Sequence, residues 1–157
     1  FVGPHNEERV ARAHEIAERE GMNLVPSAND RRVIEGQGTI GLEIVEQLAE
    51  SGIEDPPIVL VPVGLGGLAA GVATAVKSLR PDARVYGVEP ALAADTRDSL
   101  ASGERVFWPS DQTARTIADG LRGESPAAIP FRHLRIHLAG VLVVDEDEIR
   151  RAMAVAS

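Results

Sequence analysis

Six apolar residues in a row, Ile58-Val59-Leu60-Val61-Pro62-Val63, are followed at once by Gly64-Leu65-Gly66-Gly67. Leu68–Leu79 then repeats apolar residues with the helix period, and Pro81-Asp82 stops it. Arg84-Val85-Tyr86-Gly87-Val88 reads as the next strand. Strand, glycine-rich turn, helix and strand make a βαβ unit, which demands two parallel strands and predicts a right-handed crossover. Parallel sheets are covered on both faces, so the chain is expected to be α/β, a twisted, mainly parallel sheet with helices on both faces. Aromatic residues are only 3% of the 157, so the core must be built from Val, Ile, Leu and Ala, which suits such a sheet.

The remaining segments extend this pattern. Asn6 reads as an N-cap and Gly21 as a stop for an amphipathic helix over 7–20, with Val10, Ala13, Ile16 and Ala17 on one face. Met22–Pro26 reads as a short strand, Ser27–Arg32 as a polar turn, and Thr39–Glu50 as a helix with Ile40, Ile44 and Leu48 on one face. A helix is expected around Ala94–Ser102, short helices further on, and a buried strand over Val141–Val144. Asp145 with Glu148 three residues later forms an Asp version of the capping box, opening a helix that the pattern suggests is cut off at Ser157.

Composition excludes several classes of function. A net charge of -8 argues against nucleic acid, whose phosphates need a basic surface. The absence of cysteine removes disulfide scaffolds, thiolate chemistry and cysteine-based zinc sites. No apolar run approaches the roughly 20 residues that span a bilayer, so no membrane partner is expected and the cytoplasm is the default compartment.

The glycine turn carries the chemistry. It places free N–H groups of a helix start, with the helix dipole behind them, where a chain without side chains lets an anion approach. A tight turn without a ligand would need fewer glycines. Gly64, Gly66 and Ala69 also satisfy the G-x-G-x-x-G/A pattern of dinucleotide-binding folds, with Glu89 near the position of a ribose-binding acid. From these residues alone, phosphate of a dinucleotide and phosphate of another cofactor both remain open.

Five blocks bear on that choice. Val33-Ile34-Glu35-Gly36-Gln37-Gly38-Thr39-Ile40-Gly41-Leu42-Glu43 resembles the IxGQGTxxLE signature of threonine/serine dehydratases and serine racemase. Val61–Leu68 resembles their VPVGGGGL loop, and Glu89-Pro90 with Ala93 and Asp95 resembles their EPxxAxD segment. Thr116–Leu121 is similar to TIADGL, and Val143–Ile149 to VVTVSEDEI. The family is the fold-type II, tryptophan synthase β-like, group of pyridoxal-phosphate (PLP) enzymes. The resemblance implies most of its large domain over 28–157 and the tail of its small inserted domain over 1–27. It further implies a dehydratase/deaminase that converts L-threonine or L-serine to a 2-oxo acid and ammonia; the alternatives are an amino-acid racemase, a non-catalytic PLP- or phosphate-binding remnant and, from the glycine pattern alone, a nicotinamide-binding domain. A small amino-acid substrate, and a homo-oligomer or the missing part of the same enzyme as partner, are implied as well.

Residue by residue, the resemblance implies that Gly64, Leu65, Gly66, Gly67 and Leu68 hold the PLP phosphate and that Gly120 lies by the ring. Leu65 departs from the family's glycine, though related enzymes carry a threonine there. Glu89, the Ala93 carbonyl and Asp95 match a site for Mg²⁺, Mn²⁺ or Ca²⁺, for which oxygen ligands are suited. No catalytic residue is assigned. PLP chemistry takes a lysine for a Schiff base, and the single lysine, Lys77, falls at 180° from the apolar stripe Val72, Ala75, Val76 and Leu79 when 100° is counted per residue. It is expected to be a solvent lysine, and in the family the covalent lysine lies upstream of this stretch. His133 and His137 are four apart but lack the glutamate of an HExxH metal site. Ser27 and Ser99 have no local base.

Overall fold

A computed structural model describes residues 6–156. Along them run α1 (Asn6–Glu20), α2 (Arg31–Glu50), β1 (Ile58–Pro62), α3 (Gly67–Leu79), β2 (Arg84–Pro90), α4 (Asp95–Ser102), α5 (Ser110–Thr113), a 3₁₀ turn (Asp119–Leu121), α6 (Ala128–His137), β3 (Leu138–Val144) and α7 (Glu146–Ala156). The expected boundaries at Phe1 and Ser157 lie outside the described residues. Among those described, no helix is long and apolar enough to cross a membrane.

The three strands form one sheet in the order β1-β2-β3, parallel throughout. Val59 pairs with Val85 and Pro62 with Val88, while Val88 pairs in turn with Leu142. The βαβ expectation therefore holds. Strand alternation splits β1 cleanly: Val59 and Val61 are buried, whereas Ile58 and Leu60 are 56% and 57% exposed. Leu142 on β3 is exposed too, on the same face of the ladder as Leu60. The core lies on the other face, where Val59, Val61, Val63 and Val85 meet α3 and Leu134 of α6.

Helix α3 is enclosed more fully than an amphipathic stripe implies. Val72 and Val76 are buried as expected, but so are Ala69, Ala70 and Ala73, while Leu79 is 52% exposed. The helix is packed by the sheet, by α2 and by α6, so small side chains are needed on three sides. Lys77 also differs from the expected solvent lysine. It is half-buried, and its ammonium donates to the carbonyls of Pro81 and Ala83, tying down the turn that follows α3.

Other expectations fail as well, the buried strand over Val141–Val144 being only partly buried with Leu142 exposed. Helix α2 begins at Arg31 instead of Thr39, because Asp30 caps it: the Asp30 carboxylate accepts from the Arg32 N–H at 2.8 Å. Gly36 and Gly38 precede the expected start at Thr39, and glycine costs about 1 kcal/mol in a helix relative to alanine, as Gly41 does within it. Here all three lie inside the helix, and two of them serve contact with α3. A Cβ at Gly41 would sit 2.8 Å from the Val72 carbonyl oxygen, and one at Gly38 3.4 Å from that of Gly71. Met22–Pro26, expected to be a strand, has no ladder partner among the described residues, with Val25 75% exposed. The capping box is present as read: Asp145 N–H donates to Glu148, and Glu148 N–H to Asp145.

The α2–α3 contact generates a paired prediction. A Cβ on Gly71 would lie 2.4 Å from the Ile34 carbonyl oxygen and 2.6 Å from the Gly38 nitrogen, both backbone atoms that cannot swing aside. Gly71→Ala should therefore lower stability by about 1–3 kcal/mol. Gly36 has nothing within 4 Å of its Cβ position, so Gly36→Ala should raise stability by about 0.5–1 kcal/mol. Denaturant unfolding of the two variants checks the signs, and equal effects would mean the helices do not meet at Gly71.

Candidate functional site

The turn from β1 into α3 is built for glycine. Gly66 has φ 90°, a left-handed conformation at the N-cap of α3, and a Cβ there would meet Leu134 and Pro130 of α6 at 3.0 and 3.1 Å. A Cβ on Gly67 would touch Ala28 at 3.1 Å, and one on Gly64 the Gly120 carbonyl oxygen at 3.3 Å. Leu65 keeps a negative φ, as does every non-glycine residue described, so the departure from the family's glycine fits the turn. Its carbonyl accepts from the Ala127 N–H at 2.9 Å.

Gly64–Leu68 line a cavity of about 450 Å³, and Gly120 lines it from the facing loop. All six residues expected at the cofactor thus converge. N–H groups in the first turn of any helix lack an intrahelical acceptor, so those at the start of α3 are available to an anion. Arg9, Ser27, Gln37 and Arg122 also line the cavity, together with Asp119 and Glu124. Sequence reasoning singles out none of Arg9, Gln37 and Arg122, because each comes from a different element. A PLP-sized anion fits this volume and donor set. Leu65 in addition walls a second cavity of about 530 Å³ beneath α1, which Val10, Ala13, Leu24 and Val25 line.

Residues 28–30 explain why the cavity is where it is. Ala28 packs on Gly67 at the start of α3, Asn29 accepts from the Ile129 N–H at the start of α6, and Asp30 caps α2. Three consecutive residues thus gather three helix N-termini. The Asn29 bond spans 100 residues of chain.

Glu89 and Asp95 come together at the end of β2, both essentially inaccessible to solvent. Glu89 accepts from the Thr96 and Arg97 N–H groups at 3.0 and 2.9 Å, at the N-terminus of α4. That engagement removes it from any role on a ribose. Burial pushes its carboxyl above the usual range, opposed by the Arg97 and Thr96 bonds. Asp95 is pushed up to about 8, first by burial and then by the Glu89 and Asp98 charges, and its Oδ2 is buried without a partner. No group of three or more His, Cys, Asp and Glu side chains arranged for a metal occurs among the described residues. A cation at the Glu89–Asp95 pair would need the Ala93 carbonyl or solvent as further ligands.

The other sequence candidates are structural. The His133 ring donates from Nδ1 to the Thr74 hydroxyl at 3.0 Å, since that hydroxyl spends its own proton on Ala70. His133 and His137 rings lie 6.3 Å apart, and burial together with the His133 and Lys77 charges lowers the His137 pKa. Ser99 donates to the Asp95 carbonyl and accepts from Val106 N–H. Lys77 lies ten residues beyond Gly67, about 15 Å along the helix axis, and its ammonium is already committed.

Comparison with known proteins supplies the relatives. A family profile described as pyridoxal-phosphate dependent enzyme matches residues 1–157. The catabolic L-threonine dehydratase of Escherichia coli K12 is 39% identical over 151 residues, covering 96% of this chain and 44% of the relative. The serine racemase of Dictyostelium discoideum is 36% identical over 147 residues, covering 94% and 43%. Among solved structures, a T.th. threonine deaminase superposes with a TM-score of 0.88 at 40% identity, covering 98% of this chain and 49% of that one. Maize serine racemase gives 0.88 at 34%, covering 99% and 44%. The chain spans less than half the length of these relatives.

Asp95 supplies a pH prediction. Its folded-state pKa of about 8 exceeds the ordinary 3.8, so from about pH 4 to pH 8 the folded protein holds a proton that the unfolded chain has released. Stability carried by this group is present at low pH and is lost as pH rises through that window. Asp95→Asn cannot titrate. In chelator, its melting temperature relative to the parent should climb steadily across the same window, with Glu89 and Asp98 as the facing acids. A difference that stays flat there would show that Asp95 is not held neutral.

Proposed function

This chain belongs to the pyridoxal-phosphate dependent enzymes of fold type II, and we propose that it forms part of an ammonia-lyase converting L-threonine or L-serine to a 2-oxo acid and ammonia. The observation that carries the reading is the glycine cradle at the start of α3 facing Gly120, in a chain that resembles threonine dehydratases over nearly its whole length. In this reading the N–H groups of Gly64, Leu65, Gly66, Gly67 and Leu68 hold the cofactor phosphate, and the Gly120 backbone lies beside the ring. PLP supplies an electron sink for the substrate α-carbon. This chain's own residues shape the cradle: the α3 N-terminus offsets part of the phosphate charge, Gly66 leaves room for Pro130 and Leu134 of α6 to pack against the turn, and Ala28 packs on Gly67. The lysine that bonds PLP has to come from elsewhere in the enzyme, because Lys77 holds the carbonyls of Pro81 and Ala83.

Racemisation of the same amino acids is the second reading, favoured by the serine racemases among the relatives. A non-catalytic phosphate-binding remnant is the third. We place residues 1–27 in the small domain and 28–157 in the large one, consistent with α1 taking no part in the extensive helix and sheet packing. The open face of Ile58, Leu60 and Leu142 is the natural seat for the rest of the large domain, since parallel sheets are buried on both sides. Mg²⁺, Mn²⁺ or Ca²⁺ between Glu89, Ala93 and Asp95 would give the unpartnered Asp95 oxygen its missing interaction.

Three measurements test these proposals. The chain alone should bind PLP weakly and form no 2-oxobutyrate from L-threonine, with Lys77→Ala indistinguishable from the parent. Turnover that disappears in Lys77→Ala would overturn the placement of that lysine, and NAD binding without PLP binding would overturn the cofactor. The enzyme completed with its remaining sequence should release 2-oxo acid from L-threonine or L-serine. Production of D-serine without 2-oxo acid would select the racemase. Millimolar Ca²⁺ or Mg²⁺ should raise the melting temperature of the parent and leave that of Asp95→Ala unchanged.

A further inference from the structure

The loop that carries Gly120 is gripped through a single peptide unit. The carbonyl oxygen of Thr116 accepts from Arg122 Nε at 3.1 Å and Nη2 at 2.8 Å. The N–H of Ile117, at the other end of the same peptide bond, donates to Glu146 Oε2 at 2.8 Å. A cation thus sits on the negative end of that peptide dipole and an anion on its positive end, the arrangement that opposite charges favour. Thr116 is fully buried, and its hydroxyl accepts from the Ala118 N–H at 3.2 Å, so the turn is held on a third side. Three residues after Ile117, the Gly120 carbonyl comes within 3.3 Å of the Cβ position of Gly64.

Glu146 reaches this loop from the first turn of α7, 29 residues away, although its neighbours Asp145 and Glu148 already cap that helix. The carboxylate is therefore not needed for the cap. Its Oε1 is out of solvent and has no partner, a cost that an ordinary surface glutamate would avoid by turning to water. Both facts mean that Glu146 is held in place by the loop and not by its own helix.

We propose that Glu146, together with Arg122, is a positioning residue that fixes the 116–121 loop and so sets where Gly120 stands against the cradle. This deepens the reading of the cradle as a cofactor site and rests on it. Arg122 lines the cavity itself, so Glu146, which does not, provides the cleaner test.

In Glu146→Ala, amide hydrogen exchange across 117–121 should accelerate by about tenfold or more, as for loss of a charge-assisted bond. The Gly64 amide resonance should shift, and the dissociation constant for PLP, followed by Trp108 fluorescence, should rise by a similar factor. Glu146→Gln keeps a side-chain oxygen for Ile117 and should restore most of both effects. Glu148→Ala breaks the α7 cap alone and should leave the loop and PLP binding as they are. Unchanged exchange at 117–121 in Glu146→Ala overturns the proposal, as does an equal effect from Glu148→Ala, which would reduce Glu146 to a part of the helix cap. If the parent chain binds no PLP while Glu146→Ala still frees the loop, the cofactor reading fails and the clamp stands.

Discussion

The close approach of α2 to α3 is the contact from which the rest of the site follows. The Ile34 carbonyl and the Gly38 nitrogen occupy space that any side chain at Gly71 would fill. Backbone meeting backbone at that distance fixes the azimuth of α3, because a rotation of the helix would bring Val72 or Ala75 into the same gap. With α3 fixed in rotation, its first turn can present N–H groups to one place only. The glycines of α2 lower its intrinsic helicity, and the packing of α3 against them offsets that loss. Helical stability here is thus a tertiary property, as it is for most helices in proteins.

Residues 28–30 add a second constraint at the same end of α3. Packing, a long-range hydrogen bond and a helix cap occur at consecutive positions, so the segment arriving from α1 is registered against α2, α3 and α6 together. Of these three helix starts, that of α3 lines the cavity and turns its partial positive charge toward it. A chain of net charge -8 can therefore still hold an anion. In the cavity lining Arg9 and Arg122 balance Asp119 and Glu124, which leaves the α3 backbone dipole to favour an anion, while most of the acids that set the net charge lie elsewhere.

What can be read from the sequence is what depends on neighbours in sequence. β1, the glycine turn, α3 and β2 are visible because apolar period, turn residues and strand length all lie within one window. The Asp145–Glu148 cap is visible for the same reason. The start of α2 is hidden because glycine speaks for a turn locally, and only the presence of Gly71 across the interface reverses its meaning. Met22–Pro26 misleads because an apolar run promises a strand, whereas a strand exists only with a partner. Leu79 belongs to the core by its angle on the helix, yet α3 is buried mainly near its start. Gly64–Leu68 and Gly120 are recognisable through motif resemblance, and geometry brings them to one cavity. Gln37 and Glu146 fall inside two of the resembling blocks and Arg122 just beyond a third, but the blocks assign them no role, since their importance lies in contacts that cross 6 to 29 residues or join separate elements.

The parallel sheet gives these pieces a common address. The anion cradle follows the end of β1, the Glu89–Asp95 pair closes β2 and opens α4, and Glu146 follows the end of β3. All three lie at the carboxyl ends of parallel strands, where an open α/β sheet leaves its ligand crevice. Each turn meets a different demand there. After β1 the chain has shed side chains so that its backbone can meet an anion. After β2 it has buried two acids, one of them satisfied by α4 and the other left with an unpartnered oxygen. After β3 it has placed a carboxylate that ignores its own helix and reaches the loop facing the cradle. Each residue of a strand advances it by about 3.3 Å, so a shift in register between β2 and β3 would carry Glu146 away from Ile117 and loosen Gly120. The ladder between Val88 and Leu142 in this sense helps to shape the cavity, although neither residue lines it.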